Sequence, residues 1–474
     1  MYIFVLAVLM LSCSEHDKSS NLMNDARKYM DTGQFSRLFE LAASAGSHRF
    51  TDAASRRELD SMADYARRFM IDFPHSQADI IELLRADNVE ADERSLREWE
   101  ERGELEYMDI DLERRYFRWA HRNLYRINDS LRAIKQIDKQ RDESLFRFCI
   151  SEIKSILQAS AVHGYGNPVN PRTFRISYTI TVNADVVPPG EIIRCWMPFS
   201  REDSPRQDMV RVISTDPCEH VVSSDTGSHR SIFFEKPAVS GKPTVFSIGF
   251  EFRSWGQYFE PSALAATGNN DLPHHVSEFL GERVPHISFS DDIRELTESL
   301  VTPGMVPYEK VRAFYRWIND NIIWTSAVEY GLMADIPAYV LKNGRGDCGM
   351  QTLLFLSMCR YAGIPARWES GWMLHRDRVN LHDWSEVYLE PAGWVPVDVS
   401  FRLQPSDDRR VSEFYITGMD SYRLIVNNDY GRRFDPPKKY PRSEPLDFQR
   451  GELEWDGGNI YFDQWTYRMQ VEYY

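Results

Sequence analysis

The sequence predicts a multidomain α+β chain: an N-terminal helical domain, an antiparallel β-sandwich-like domain and a C-terminal α+β core. Three observations predict it. Residues 22–163 contain one proline, Pro74, and carry apolar side chains at helical spacing. Beyond a turn-rich boundary at 164–171 the period switches to apolar–polar alternation. From residue 303 a helical stretch, a second strongly apolar helix and further alternating strands follow. The 474 residues suffice for about three domains at roughly 150 residues each. Hydrophobic residues are 42%, aromatics 13% and charged residues 27%, which excludes wholesale disorder, collagen and coiled coil. The net charge of −15, with no long basic run, argues against a dedicated nucleic-acid binder.

At the N-terminus, Tyr2–Leu11 is an apolar run with no basic residue before it. It is too short to span a bilayer, which takes about 20 residues, but suits a signal-peptide core. It runs into Leu11-Ser12-Cys13 and then a polar stretch. This resembles a bacterial lipobox, giving a signal peptide over 1–13 and Cys13 as the lipidated residue. The expected localisation is the cell envelope, as an exported outer-membrane lipoprotein held by its lipid anchor on the periplasmic or surface side. The acidic stretch after Cys13 also resembles the export signals of Bacteroidota surface lipoproteins.

The helical accessory domain, 22–163, shows Leu59, Met62, Ala63 and Ala66 at i, i+3, i+4 spacing. Its segment Trp99–Arg126 mixes charges with Tyr107, Tyr116, Phe117, Trp119 and Tyr125, as amphipathic helices with salt-bridged faces do. No fixed repeat marks a solenoid. The β-sandwich-like domain, 170–260, is expected from Phe174–Val182, Glu191–Pro198, Met209–Ser214, Ser231–Glu235 and Thr244–Phe252. His274, His275 and His286 follow in a loop region, without Cys or carboxylate at ligand spacing, and read as surface histidines. With Cys13 lipidated, five cysteines remain, so at least one thiol is free. Cys195 and Cys218 could pair across a sheet, which spacing alone leaves open. No metal or cofactor is expected. The core spans 290–410, and 411–474 reads as a C-terminal β and loop extension with a proline-rich loop at 436–441.

The chemistry concentrates in the core. Cys348 follows Gly346-Asp347 and opens an apolar helix that Gly363 and Pro365 end. A helix N-terminus favours a thiolate, and its free N–H groups can hold an oxyanion. His382-Asp383-Trp384-Ser385-Glu386-Val387-Tyr388 and Gly393-Trp394-Val395-Pro396-Val397-Asp398 form two strands about a short turn. If Leu389 pairs with Gly393, His382 and Asp398 share a face. That gives Cys348 as nucleophile, His382 as base and Asp398 as its orienter. Cys359, Trp384, Glu386 and Trp394 read as packing or supporting residues, and Asp347 as a helix-start polar residue.

Gly346-Asp347-Cys348, Ala362-Gly363-Ile364-Pro365-Ala366-Arg367 and the two strand motifs resemble, in order, the core of the transglutaminase-like superfamily. The resemblance covers about residues 305–405. It implies a papain-like α+β fold, catalytic Cys348, His382 and Asp398, and acyl transfer through a thioester. It also implies an aromatic aid to the oxyanion site, for which Trp324 is the nearest match. Asp383 departs from the nonpolar or small residue usual after the histidine; it either perturbs His382 or points to the opposite face. The expected activity is a cysteine hydrolase or acyltransferase acting on a peptide, protein or peptidoglycan-type substrate. Hydrolysis is favoured over crosslinking because water is the default acceptor and no amine site is visible. A glycopeptide amidase, and a catalytically inactive peptide- or partner-binding scaffold, are the alternatives.

Overall fold

The computed structural model describes residues 21–44, 53–136, 139–265, 272–376 and 378–474. The signal peptide and Cys13 lie outside the described residues. The chain divides into two compact units, Met1–Ile137 and Asp138–Tyr474.

The first unit is mostly helical, with helices at 21–31, Phe35–Ser44, Ala53–Asp72, Gln77–Ala86, Glu93–Glu101, Ala120–Ile127 and Asp129–Lys135. Ser76 and Asp79 close a capping box at the start of Gln77–Ala86, which stops that helix from fraying. Part of Trp99–Arg126 departs from the helical expectation. Tyr107–Ile110 and Glu113–Tyr116 form a hairpin in which Ile110 faces Glu113. The two residues between them, Asp111 and Leu112, have φ of 52° and 69°, so the turn is of the two-residue hairpin kind.

Helix α1 (Lys139–His163), expected within the N-terminal helical domain, belongs to the second unit. Its Cys149, Ile153 and Ile156 share a core with Tyr258 and Phe414. The strands are β1 (Val169–Val182), β2 (Ile192–Pro198), β3 (Gln207–Asp216), β4 (Val221–Val222), β5 (Ser231–Pro237) and β6 (Thr244–Tyr258). All the expected sandwich strands are present. The sandwich is finished by the end of the chain. There lie β12 (Gly418–Met419), β14 (Glu452–Trp455), β15 (Gly458–Ile460) and β16 (Trp465–Tyr473). One sheet runs β12-β6-β1-β16 with β3 beside β6; the other runs β15-β14-β2-β5-β4. β16 pairs with β1 from Trp465 opposite Val182 to Tyr473 opposite Phe174. Ile176, Ile180, Cys195, Met197, Phe246 and Leu453 from both sheets share one apolar core. β12, β14, β15 and β16 therefore belong to the sandwich sheets, where the sequence suggested a separate extension.

The core sheet is β11-β10-β9-β13, all antiparallel: β9 (Ala366–His375), β10 (Arg378–Leu389), β11 (Gly393–Val397) and β13 (Arg423–Asn427). Helix α5 (Cys348–Tyr361) is buried from Gly349 to Arg360, as its unbroken apolar pattern requires. It packs Leu353 and Phe355 in one cluster with Val387 and Val395. α2 (Asp291–Leu300), α3 (Pro307–Asn321) and α4 (Ile336–Asn343) join the same core. β7 (Ile323–Trp324) pairs in parallel with β8 (Arg345–Gly346) just before α5.

One open question is answered and one expectation is corrected. Cys195 and Cys218 are both free thiols, Cys195 buried in the sandwich and Cys218 exposed. His286 is buried and not on the surface; it lies within the turn that the bridge between Arg283 and Ile287 closes. Burial holds its imidazole below the usual value.

Candidate active site

Cys348 is the first residue of α5. Asp347 caps the helix, its carboxylate accepting from the Met350 N–H, and Tyr330 donates its hydroxyl to the same oxygen at 2.5 Å. Gly363, at φ 79°, follows the helix in the left-handed conformation that a C-terminal glycine supplies. Gly349 has no room for a side chain. A Cβ there would lie 2.3 Å from Tyr330 Oη and 2.8 Å from Asp383 Oδ2.

His382 and Asp398 come from β10 and the residue after β11. Leu389 faces Gly393 and Ser385 faces Val397, the register that puts both on one face. His382 Nε2 lies 2.7 Å from Asp398 Oδ2, both side chains buried. His382 stacks with Trp384 and sits edge-on to Phe401. Opposite it on β9, Gly371 lets β13 come close: a Cβ there would fall 1.9 Å from Leu424 O.

The structure joins His382 to Asp398 but gives Cys348 another partner. Cys348 Sγ lies 3.4 Å from Asp383 Oδ2, and among the described residues it makes no hydrogen bond to His382. Asp383 thus takes the opposite strand face, one of the two outcomes its departure from the family pattern allowed. Gln449 fixes it there, donating to Asp383 Oδ1 at 2.6 Å and to the His382 carbonyl at 2.9 Å. β7 sets the Trp324 backbone opposite Gly346, two residues before Cys348.

The electrostatics divide the two carboxylates. Burial pushes Asp398 up, but His382 and Arg423 outweigh it and hold the carboxyl below its ordinary range. Asp383 is pushed well above that range, by burial and then by Asp347. Burial also raises Asp347 to about 6 and Asp447 to about 8, Asp383 adding to the latter. Against the helix start, which favours a thiolate, burial first and then the Asp383 and Asp347 carboxylates push the Cys348 thiol well above its usual value. Burial draws the His382 imidazole below its usual value, with Asp398 opposing.

Sequence reasoning missed Arg423, Asp420 and Gln449. Arg423 donates to Asp398 Oδ2 at 2.8 Å and to Asp420 Oδ2 at 3.1 Å. The available signal was an arginine opening the apolar strand Arg423-Leu424-Ile425-Val426, where a buried charge needs a partner.

Residues 294–399 match the model of the transglutaminase-like superfamily. This stretch, which carries Cys348, His382 and Asp398, is a transglutaminase-like domain. Among solved structures, the chain is similar to a candidate cysteine protease from Cytophaga hutchinsonii. Identity there is 17% and the TM-score 0.44, over 65% of this chain and 91% of that one. It is also similar to the periplasmic domain of TgpA from Pseudomonas aeruginosa, at 16% identity and TM-score 0.28, over 54% of this chain and 94% of that one. No curated protein matches the chain.

Proposed function

We propose that the chain is a cysteine hydrolase of transglutaminase type that cleaves peptide, isopeptide or carboxamide bonds through a thioester on Cys348. The observation that carries this reading is the His382–Asp398 pair at 2.7 Å, both side chains buried, with His382 next in the strand to the Asp383 that meets Cys348 Sγ. In the reaction Cys348 gives its proton to His382 and its sulfur attacks the substrate carbonyl. Protonated His382 then gives the proton to the leaving amine. Water attacks the thioester carbonyl, His382 taking its proton, and the carboxylic acid and Cys348 thiol are released. Asp398 keeps the imidazole in the tautomer whose other nitrogen is free to act. Cys348 must first leave Asp383 to meet His382. The chain's export as a lipid-anchored envelope protein is part of the same proposal, resting on the lipobox-like Ser12-Cys13.

The Cys348–Asp383 hydrogen bond favours a second reading, a catalytically silent module that binds peptides. One experiment separates the two. The soluble chain from residue 22 is incubated with a panel of peptide, isopeptide and glycopeptide amides, and Cys348 is mapped by mass spectrometry. The hydrolase reading expects acid product and an acyl group on Cys348, both lost in Cys348→Ala. Binding of the same peptides, equal in wild type and Cys348→Ala and with no product, would establish the scaffold instead.

A further inference from the structure

We propose that Arg423 and Asp420 are positioning residues for the His382–Asp398 pair, setting the charge against which His382 takes and releases its proton. The proposal rests on the hydrolase reading of that pair. Asp398 Oδ2 is held from two sides, by His382 Nε2 at 2.7 Å and Arg423 Nη1 at 2.8 Å. Arg423 Nη2 continues to Asp420 Oδ2 at 3.1 Å. All four side chains are buried, three of them to 1% exposure or less. One guanidinium therefore answers two carboxylates, leaving one negative charge that an imidazolium at His382 would neutralise.

The assembly is built for a fixed position. The Arg423 guanidinium lies 4.3 Å over the Phe401 ring and 5.3 Å from the Trp384 ring, the two residues that also flank His382. Ser400 Oγ donates to the second Asp398 oxygen at 3.1 Å, so the carboxylate has no freedom to turn away. The other titratable neighbours are few. Asp398 acts on the Tyr315 hydroxyl of α3, which burial first raises. Tyr415 donates its hydroxyl to Asp420 Oδ2 at 2.9 Å, with Cys149 of α1 beside it. His375 on β9 places Nε2 3.3 Å from Asp420 Oδ1. The order is therefore imidazole, carboxylate, guanidinium, carboxylate, imidazole. A positive charge at Arg423 opposes protonation of His382, and a negative charge at Asp420 supports it.

The signs make the proposal testable without a substrate. The His382 resonances of the isotopically labelled chain are assigned by their loss in His382→Gln and titrated by NMR. Arg423→Met is expected to raise the His382 pKa by about one unit or more, and Asp420→Asn to lower it. Arg423→Lys, which keeps the charge, is expected to stay near wild type. A merely structural role would move both neutral variants in the same direction or neither, and that result overturns the proposal. Should Arg423→Met not fold, a lowered pKa in Asp420→Asn beside an unchanged one in Arg423→Lys decides the matter. An unchanged pKa in Asp420→Asn then counts against the proposal. The titration stands apart from catalysis. If Cys348 forms no acyl-enzyme while the opposed shifts appear, the hydrolase reading fails and the electrostatic assignment holds.

Discussion

At the scale of single residues, the Cys348 thiol is governed by burial and by its carboxylate neighbours. Asp383 lies 3.4 Å from Cys348 Sγ, and after burial it is the largest influence that raises the thiol. Asp383→Asn is expected to lower the thiol pKa. Each unit of lowering raises the thiolate fraction about tenfold, so iodoacetamide should modify Cys348 correspondingly faster near neutral pH. An unchanged or slower rate would show that Asp383 does not restrain the thiol. Gly349→Ala is a second case. The added methyl has no space between Tyr330 and Asp383, so these side chains or the helix start must shift. Activity should fall by more than tenfold while the thermal midpoint moves only slightly; a fully active variant would mean that this close approach is not needed.

At the scale of elements, the buried Arg206 just before β3 ties the sandwich sheet to the core sheet. Its Nη2 lies 2.6 Å from Glu369 on β9 and 2.8 Å from Glu386 on β10, all three buried. Removing it leaves Glu369 without a cation beside Glu386, which keeps Arg367 at 2.7 Å. Arg206→Met is expected to cost about 3–5 kcal/mol in denaturant unfolding. A loss under 1 kcal/mol would mean the carboxylates find other compensation. The same elements show what the sequence could tell. The register of β10 with β11, and so the meeting of His382 with Asp398, followed from alternation and a short turn. The helix of Cys348, its Asp347 cap and its Gly363 end were legible from apolar run, spacing and glycine. The partner of Cys348 was not, since that depends on which face Asp383 takes and on Gln449, 66 residues away. Nor was the hairpin at 107–116, whose charged and aromatic residues fit a helix face as well as two short strands.

At the scale of the whole second unit, the last strands are structural members of both sheets and of the site. A chain ending at residue 410 loses β13 with Arg423, and also β14 and β16 from the sandwich. It is expected to be insoluble or unfolded by circular dichroism; a folded and cooperative product would show that the sandwich closes without them. The buried carboxylates also give stability a pH dependence. Asp447 rises from 3.8 to about 8 on folding, so between those values the folded state binds more protons than the unfolded one. Its contribution to stability therefore falls as pH rises through that window. Asp398 and Asp420, held low in the folded state, act oppositely and lose their contribution in acid. Comparing Asp447→Asn with wild type isolates the first effect: the variant should gain thermal midpoint relative to wild type from about pH 4 to pH 8. A constant difference would contradict the assignment.

The central claim is that His382, held by Asp398, serves Cys348. The most direct measurement is the iodoacetamide alkylation rate of each cysteine across pH, by peptide mapping, in wild type and His382→Ala. Exposed Cys218 provides the internal reference. The account expects His382→Ala to slow Cys348 at least about tenfold and to leave Cys218 unchanged. Equal rates at Cys348 with and without the imidazole, across the whole pH range, would contradict it.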